Sequence, residues 1–176
     1  MTITDKIRTM IRFKTASHKF TYRIGGIAIH EGRVLCQKAT LDPRGVFWFL
    51  PGGRAELGES SQETLQREMQ EELGEEARIG RLLYVVENFF SEEIDHHEIG
   101  LYFELAFPAN SYLYQQTGPF ERPEEMENQP MIFDWLSLAE LPTKLWIRPH
   151  FFCTALQSLP SHTQHVVLTD GWVSPR

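Results

Sequence analysis

The stretch that most constrains this 176-residue chain runs from Gly53 to Gly74, G-R-A-E-L-G-E-S-S-Q-E-T-L-Q-R-E-M-Q-E-E-L-G. Ser60-x-x-Glu63 is a capping box, in which the serine hydroxyl and the glutamate each satisfy an orphan amide, so a helix starts here. Gly74 stands where a left-handed residue would end it. Leu65, Met69 and Leu73 recur at i, i+4 and i+8, a narrow apolar stripe that pins the helix on a core. Glu68, Glu71, Glu72 and Glu75 form an acidic ridge beside that stripe. At about 100° per residue, Glu72 lies roughly 60° from the stripe's centre and Glu68 roughly 100°, with Glu71 almost opposite. Carboxylates held at the edge of a buried face repel one another and lose solvation; a multivalent cation relieves both penalties. A solvated acidic helix face is the competing reading.

Trp48-Phe49-Leu50-Pro51-Gly52-Gly53 weighs against that alternative, because it reads as a strand running into a glycine turn. Glycines there let backbone groups approach an ion or a phosphate closely. Hard oxygen donors, carboxylates with a backbone carbonyl, suit Mg²⁺ or Mn²⁺ rather than zinc.

The run resembles the box of the Nudix family, G-x5-E-x7-R-E-U-x-E-E-x-G-U with U a bulky apolar residue. Gly53, Glu59, Arg67, Glu68, Glu71, Glu72 and Gly74 fill the fixed positions, and Met69 fills the first U. Seven specified positions coincide by chance on the order of once in 10⁸ to 10⁹ windows. The last U is Glu75 here, a departure that touches the packing after Gly74 and not the ligand set. The resemblance implies an α+β fold, the Nudix-type α/β/α sandwich with mixed β-sheet and the box as loop–helix–loop. It further implies hydrolysis of a nucleoside diphosphate linked to another moiety, with Mg²⁺ as cofactor and Mn²⁺ as a substitute. Carried over by position, Glu68 and Glu72 are metal ligands, and Glu71 is a ligand or helps to activate water. The Gly52 carbonyl completes the metal shell, and Glu59 and Arg67 form a supporting ion pair. A Nudix-fold module that senses a nucleotide or docks a protein without catalysis is the alternative; such modules lose box carboxylates, and this chain retains them all.

A hydrophobic content of 41% in 176 residues is enough for one domain with a full core. The net charge of −7 argues against a nucleic-acid polymer as partner and agrees with bridging cations at a phosphate site. Two cysteines, Cys36 and Cys153, make no disulfide framework and suggest reduced thiols in a cytoplasmic setting. No apolar run reaches the length of a membrane span.

Residues 1–23 carry six Lys and Arg against Asp5 alone, a local +5 in an otherwise acidic chain. Ile3, Ile7, Met10 and Ile11 fall on one helical face, so residues 1–20 read as a basic amphipathic segment, with the domain at 21–170 and a tail at 171–176. The segment packs on its own domain or on a second subunit; the resemblance makes a homodimer a natural partner arrangement. Strands are expected over Tyr22–Ile29, Arg33–Lys38 and Val46–Leu50, with a turn at Asp42–Gly45. Ala77–Phe90 and His97–Phe107 read as an antiparallel pair; Ile99, Leu101, Phe103, Leu105 and Phe107 alternate, so one face is buried. Pro108–Pro130 reads as a long loop with one short strand, Met131–Trp135 as a strand, and Ser137–Leu141 as a short capped helix. Pro149 opens a helix to about Leu159, and Gln164–Thr169 is a last strand.

Outside the box, Glu98 points away from Ile99, where some family members place an extra carboxylate; an ordinary polar strand end is the alternative. His96 precedes the returning strand, and His97 shares its apolar side as a core histidine. Phe47, Phe89 and Phe90 are candidates to stack a nucleobase, although aromatics in strands are usually core. Arg23 and Arg54 are candidate phosphate contacts or solvated arginines. A small nucleotide is the expected substrate, namely ADP-ribose, a sugar nucleotide or a nucleoside triphosphate, ahead of diadenosine polyphosphates and RNA 5′ ends.

Overall fold

The computed structural model describes residues 9–39, 46–123, 130–141 and 143–169. In chain order the strands are β1 (Arg12–Lys14), β2 (His18–Ile27), β3 (Ile29–His30), β4 (Arg33–Lys38), β5 (Trp48–Phe49) and β6 (Gly52–Arg54). Helix α1 (Ser61–Leu73) follows, then β7 (Arg78–Ser91) and β8 (Asp95–Ala106). A 3-10 turn at Tyr112–Gln115 leads to β9 (Phe120–Arg122), β10 (Met131–Ser137), β11 (Ile147–Arg148), α2 (Phe152–Ala155) and β12 (Gln164–Leu168).

Two six-stranded mixed sheets result. The first has the order β1-β2-β8-β7-β12, and β6 also pairs with β2; the second has the order β11-β5-β4-β10-β9, with β3 on β4. β2 and β8 run parallel, so the chain between them must cross over, and that crossover contains β6, α1 and β7. The box helix is thereby set against the middle of the first sheet. Its stripe Leu65, Met69 and Leu73 is fully buried with Ile24, Phe103 and Leu105 from that sheet and Leu35 and Phe133 from the other. A second apolar cluster joins Tyr84, Val86 and Tyr102 to Cys36, Phe152 and Leu156. Mixed sheets around one main helix make this an α+β sandwich. No helix among the described residues is long and apolar enough to cross a membrane, and both cysteines are buried free thiols.

Most expected strands are present with edges moved by a few residues; four expectations are corrected. Gly52–Arg54 is a strand, with Arg54, Gly53 and Gly52 opposite Arg23, Ile24 and Gly25. The turn gives way because β2 offers an edge whose amides and carbonyls need partners. Met10 and Ile11 are not helical: Met10 bridges Glu56, and Ile11 donates to the Ala55 carbonyl and accepts from Tyr22. Sheet pairing outcompetes a short isolated helix, which is marginal on its own; residues 1–8 lie outside the described set. Residues 138–141 form turns, because Ser137 is still paired with Arg33 and closes β10. The segment after Pro149 is helical for a single turn, with no side-chain cap at Phe151. The turn expected at Asp42–Gly45 and the tail at 171–176 lie outside the described residues.

Candidate active site

Helix α1 begins as its sequence dictates. Ser60 Oγ accepts from the Glu63 amide at 3.2 Å, and the Ser60 amide donates to Glu63 Oε2 at 2.7 Å. Gly74 ends it at φ 70°. With both ends fixed and the apolar stripe buried, the acidic ridge can face only the β6 side and solvent.

Arg67 organises the carboxylates. Its Nε donates to Glu59 Oε1 at 3.0 Å, and its Nη1 to Glu68 Oε1 at 2.8 Å and Glu71 Oε2 at 3.3 Å. Nη2 donates to the Arg54 carbonyl at 3.3 Å and lies 3.7 Å from Glu56 Oε1. Burial opposes the guanidinium charge, but hydrogen bonds to Glu59 and Glu68 outweigh it and hold Arg67 above the usual arginine range. The same hydrogen bond, against the opposing effect of burial, holds the Glu59 carboxyl below its ordinary value. Glu59 and Arg67 thus tie the loop to the helix. Glu56 was not singled out from the sequence; it is buried and joins the same guanidinium. The only local signal was an acid placed between two apolar residues of the loop.

Glu68 is carried across the helix edge onto β6. A Cβ on Gly53 would overlap its carboxylate, so glycine is required for the close approach. Burial raises the Glu68 pKa, more than its bonds to Arg67 lower it. Glu71 is exposed and Glu72 is half-buried one turn beyond Glu68. Gly52, at φ 133°, sits so close to the Ile24 carbonyl that a side chain would collide with it.

Arg23 stands on the other side of β6. Its Nη2 donates to the carbonyls of Leu50 at 3.0 Å and Gly52 at 3.2 Å, and its guanidinium lies 5.3 Å from the centre of the Phe49 ring. The Gly52 carbonyl is therefore joined to Arg23 here. Glu98, half-buried on β8, faces Arg23, Arg54 and Lys19; burial raises its pKa, although all three cations pull it down. Arg23 and Glu98 line a cavity of about 480 Å³ together with Phe47, Asn88, Phe90 and Trp146. At its rim the Arg148 guanidinium lies 4.5 Å from the centre of the Phe47 ring.

The structure therefore brings Arg23, Glu98, Phe47 and Phe90 to one cavity and leaves Phe89 out. Alternation along β7 turns Phe89 to the opposite face, where it stacks on His97 at 4.3 Å, while Phe90 stacks on His96 at 4.5 Å. His97 also packs edge-on against Phe20, and its Nε2 is buried without a hydrogen-bond partner among the described residues. It is a ring-packed, half-buried histidine outside both apolar clusters rather than a satisfied core one. Asn88, Trp146 and Arg148 carried no sequence signal, since they join the cavity only through long-range pairing of β7 with β8 and of β11 with β5.

The donors suit a hard divalent cation. Four carboxylates share one guanidinium, a formal charge of −3 for the five side chains. Glu68 and the Gly52–Gly53 backbone form a cradle that any side chain at Gly53 would fill. Among the described residues no three His, Cys, Asp or Glu side chains close around a single point. Arg67 instead holds Glu68 and Glu71 in ion pairs.

The family model of the NUDIX domain matches residues 19–153. No curated protein matches the chain. Among solved structures, the MutT NUDIX hydrolase from Burkholderia pseudomallei is similar at 24% identity over 76% of this chain and 95% of that one, with a TM-score of 0.54. The MutT protein from Methanosarcina mazei Go1 is similar at 18% identity over 78% and 91%, TM-score 0.54. The mutator MutT protein from Bacillus halodurans is similar at 19% identity over 88% and 95%, TM-score 0.53. At these identities the likeness is one of fold.

Proposed function

The chain belongs to the Nudix family, and on that premise we propose that it hydrolyses the diphosphate linkage of a small nucleotide with the help of Mg²⁺, for which Mn²⁺ can substitute. The observation that carries this reading is the intact carboxylate set of α1, with Glu68 held against the Gly53 backbone, in a fold that also offers a cavity of nucleotide dimensions.

A divalent ion supplies charge neutralisation at the phosphates and a more acidic bound water. Glu68 and Glu72 would hold it, with the Gly52 carbonyl as a further oxygen donor and Glu71 as a third carboxylate or the group that receives the water's proton. Burial already disfavours a lone charge on Glu68, so the residue gains from a cation close by. Arg67 keeps Glu59 and Glu68 oriented, and Arg23 anchors the carbonyls of Leu50 and Gly52. Arg23 and Arg54 offer positive charge to a substrate phosphate. Phe47, Phe90 and Trp146 provide flat apolar surfaces for a base or sugar, and Glu98 and Asn88 offer polar groups to orient it.

The test is phosphate release over a panel of nucleotides with Mg²⁺ and Mn²⁺, for the wild type and for Glu68→Gln and Glu72→Gln. Turnover should fall by at least about 10²-fold in either variant, with a thermal transition close to wild type. Unchanged turnover rejects the assignment. Calorimetric binding of a nucleotide in Mg²⁺ without product would point to the sensing or docking module instead.

A further inference from the structure

The cationic character of the Arg23 face does not stop at the cavity. Strand β2 alternates, so Lys19, Thr21 and Arg23 point to one side of the sheet, and their cross-strand neighbours point with them. On one edge of β2 those neighbours are Lys14 opposite Lys19, Arg12 opposite Thr21, and Arg54 opposite Arg23, and on the β8 edge His96 stands opposite Lys19 and Glu98 opposite Thr21. Five cations from three strands thus line one strip, which leaves the cavity at Arg23 and extends about 13 Å along β2 to Lys19. Arg12 and Lys14 are exposed, whereas Lys19, Arg23 and Arg54 are half-buried.

Like charges directly opposed across strands repel, and in a chain of net charge −7 one carboxylate, that of Glu98 opposite Thr21, stands in register among the five cations. The mutual repulsion is felt by the side chains. Burial, then Arg12 and Arg23, lower the Arg54 pKa, and burial, then Arg54 and Arg12, lower that of Lys19. The carboxylates that face the strip are Glu98, Glu92 near Lys19 and Glu68 beyond Arg54. Burial disfavours the charged form of Glu98. An anion lying along the strip would offset the repulsion.

We propose that the strip from Arg54 and Arg23 to Arg12, Lys14 and Lys19 binds a linear polyphosphate, so that the substrate carries a chain of three or more phosphates rather than a sugar beyond the cleaved linkage. This rests on the hydrolase reading of the neighbouring site for its place in a reaction. It does not need that reading for binding. A chain of tetrahedral anions presents a charge at each step, which matches cations spaced along a strand; a neutral sugar does not.

The test is titration calorimetry of the full chain with inorganic tripolyphosphate, pyrophosphate and orthophosphate, in chelator and at low salt. Affinity should rise with each added phosphate and fall as salt is raised. Lys19→Glu and Arg12→Glu should each weaken tripolyphosphate binding by about tenfold, and Lys19→Gln, the milder change, by less. Circular dichroism checks that each variant is folded. Equal tripolyphosphate affinity in wild type and folded variants overturns the proposal, as does wild type that binds none. Tighter binding of a 5′-hydroxyl RNA oligomer at the same salt would assign the strip to a nucleic-acid backbone and equally overturn it. Tripolyphosphate binding in a chain that hydrolyses no nucleotide would count against the hydrolase reading alone.

Discussion

Arg67 and Arg23 are both half-buried arginines, one on either side of β6, and they are held in opposite ways. Arg67 is enclosed by the carboxylates of Glu56, Glu59, Glu68 and Glu71. Arg23 rests on two main-chain carbonyls and an aromatic ring and faces other cations. The acidic side therefore has negative charge in excess and suits a cation, whereas the basic side suits the anion that such a cation would accompany. A single three-residue strand separates the two. The two still feel each other, since Arg23 acts on Glu68 and Glu68 on Arg54; for the proposed metal-bound diphosphate, charges of both signs are offered side by side.

The contrast can be broken by substitution. Arg67→Ala leaves four carboxylates without their shared guanidinium and should cost about 3 kcal/mol, read by chemical denaturation in chelator. Arg67→Lys should recover less than half, because the planar fork is lost. Arg23→Ala removes two hydrogen bonds to carbonyls and should cost about 2 kcal/mol, less than Arg67→Ala, while raising KM for any nucleotide turned over. If the two alanine variants cost the same, the arginines do not differ as described. Ser60→Ala breaks the capping box without touching either charge cluster and should cost about 1 kcal/mol by the same denaturation.

The smallest effect concerns pH. The folded pKa of Glu98 is raised above its unfolded value by burial. Its contribution to stability is therefore greatest below about pH 4.3 and is lost as pH rises through the folded value. Glu98→Gln cannot ionise. The difference in Tm between variant and wild type should move in favour of the variant from pH 4 to pH 7. A difference that stays constant, or moves the other way, would mean that Arg23, Arg54 and Lys19 stabilise the Glu98 charge at least as much as burial disfavours it. Glu59, whose pKa is lowered by Arg67, has the opposite slope, and the comparison at constant Glu59 cancels it.

The box helix was legible almost residue by residue. Ser60, Glu63 and Gly74 act on amides within one turn, and Leu65, Met69 and Leu73 share a face by helical period alone. Strand β8 was legible from the alternation of Ile99, Leu101, Phe103, Leu105 and Phe107. The segment after Pro149 was misjudged for the converse reason. Proline permits a helical start, but without a side-chain cap at Phe151 the helix lasts one turn. Phe89 and Phe90 are adjacent and chemically alike, so the sequence offers no ground for choosing between them; the register of β7 on β8 makes the choice.

What the chain of residues settled unaided was therefore the helix, its caps, its buried stripe and the identity of the acids along it, since all of these depend on bonds a few residues apart. Which cations gather beside that helix, apart from Arg67, was decided by the tertiary structure. Gly52–Arg54 became a strand only because β2 had an edge to pair with, and Arg12, Lys14, Lys19, Arg23 and Arg54 share a face only because three strands stand in one register. Register is set by the burial of whole sheet faces against α1 and the second sheet, a sum over distant contacts that no local pattern contains.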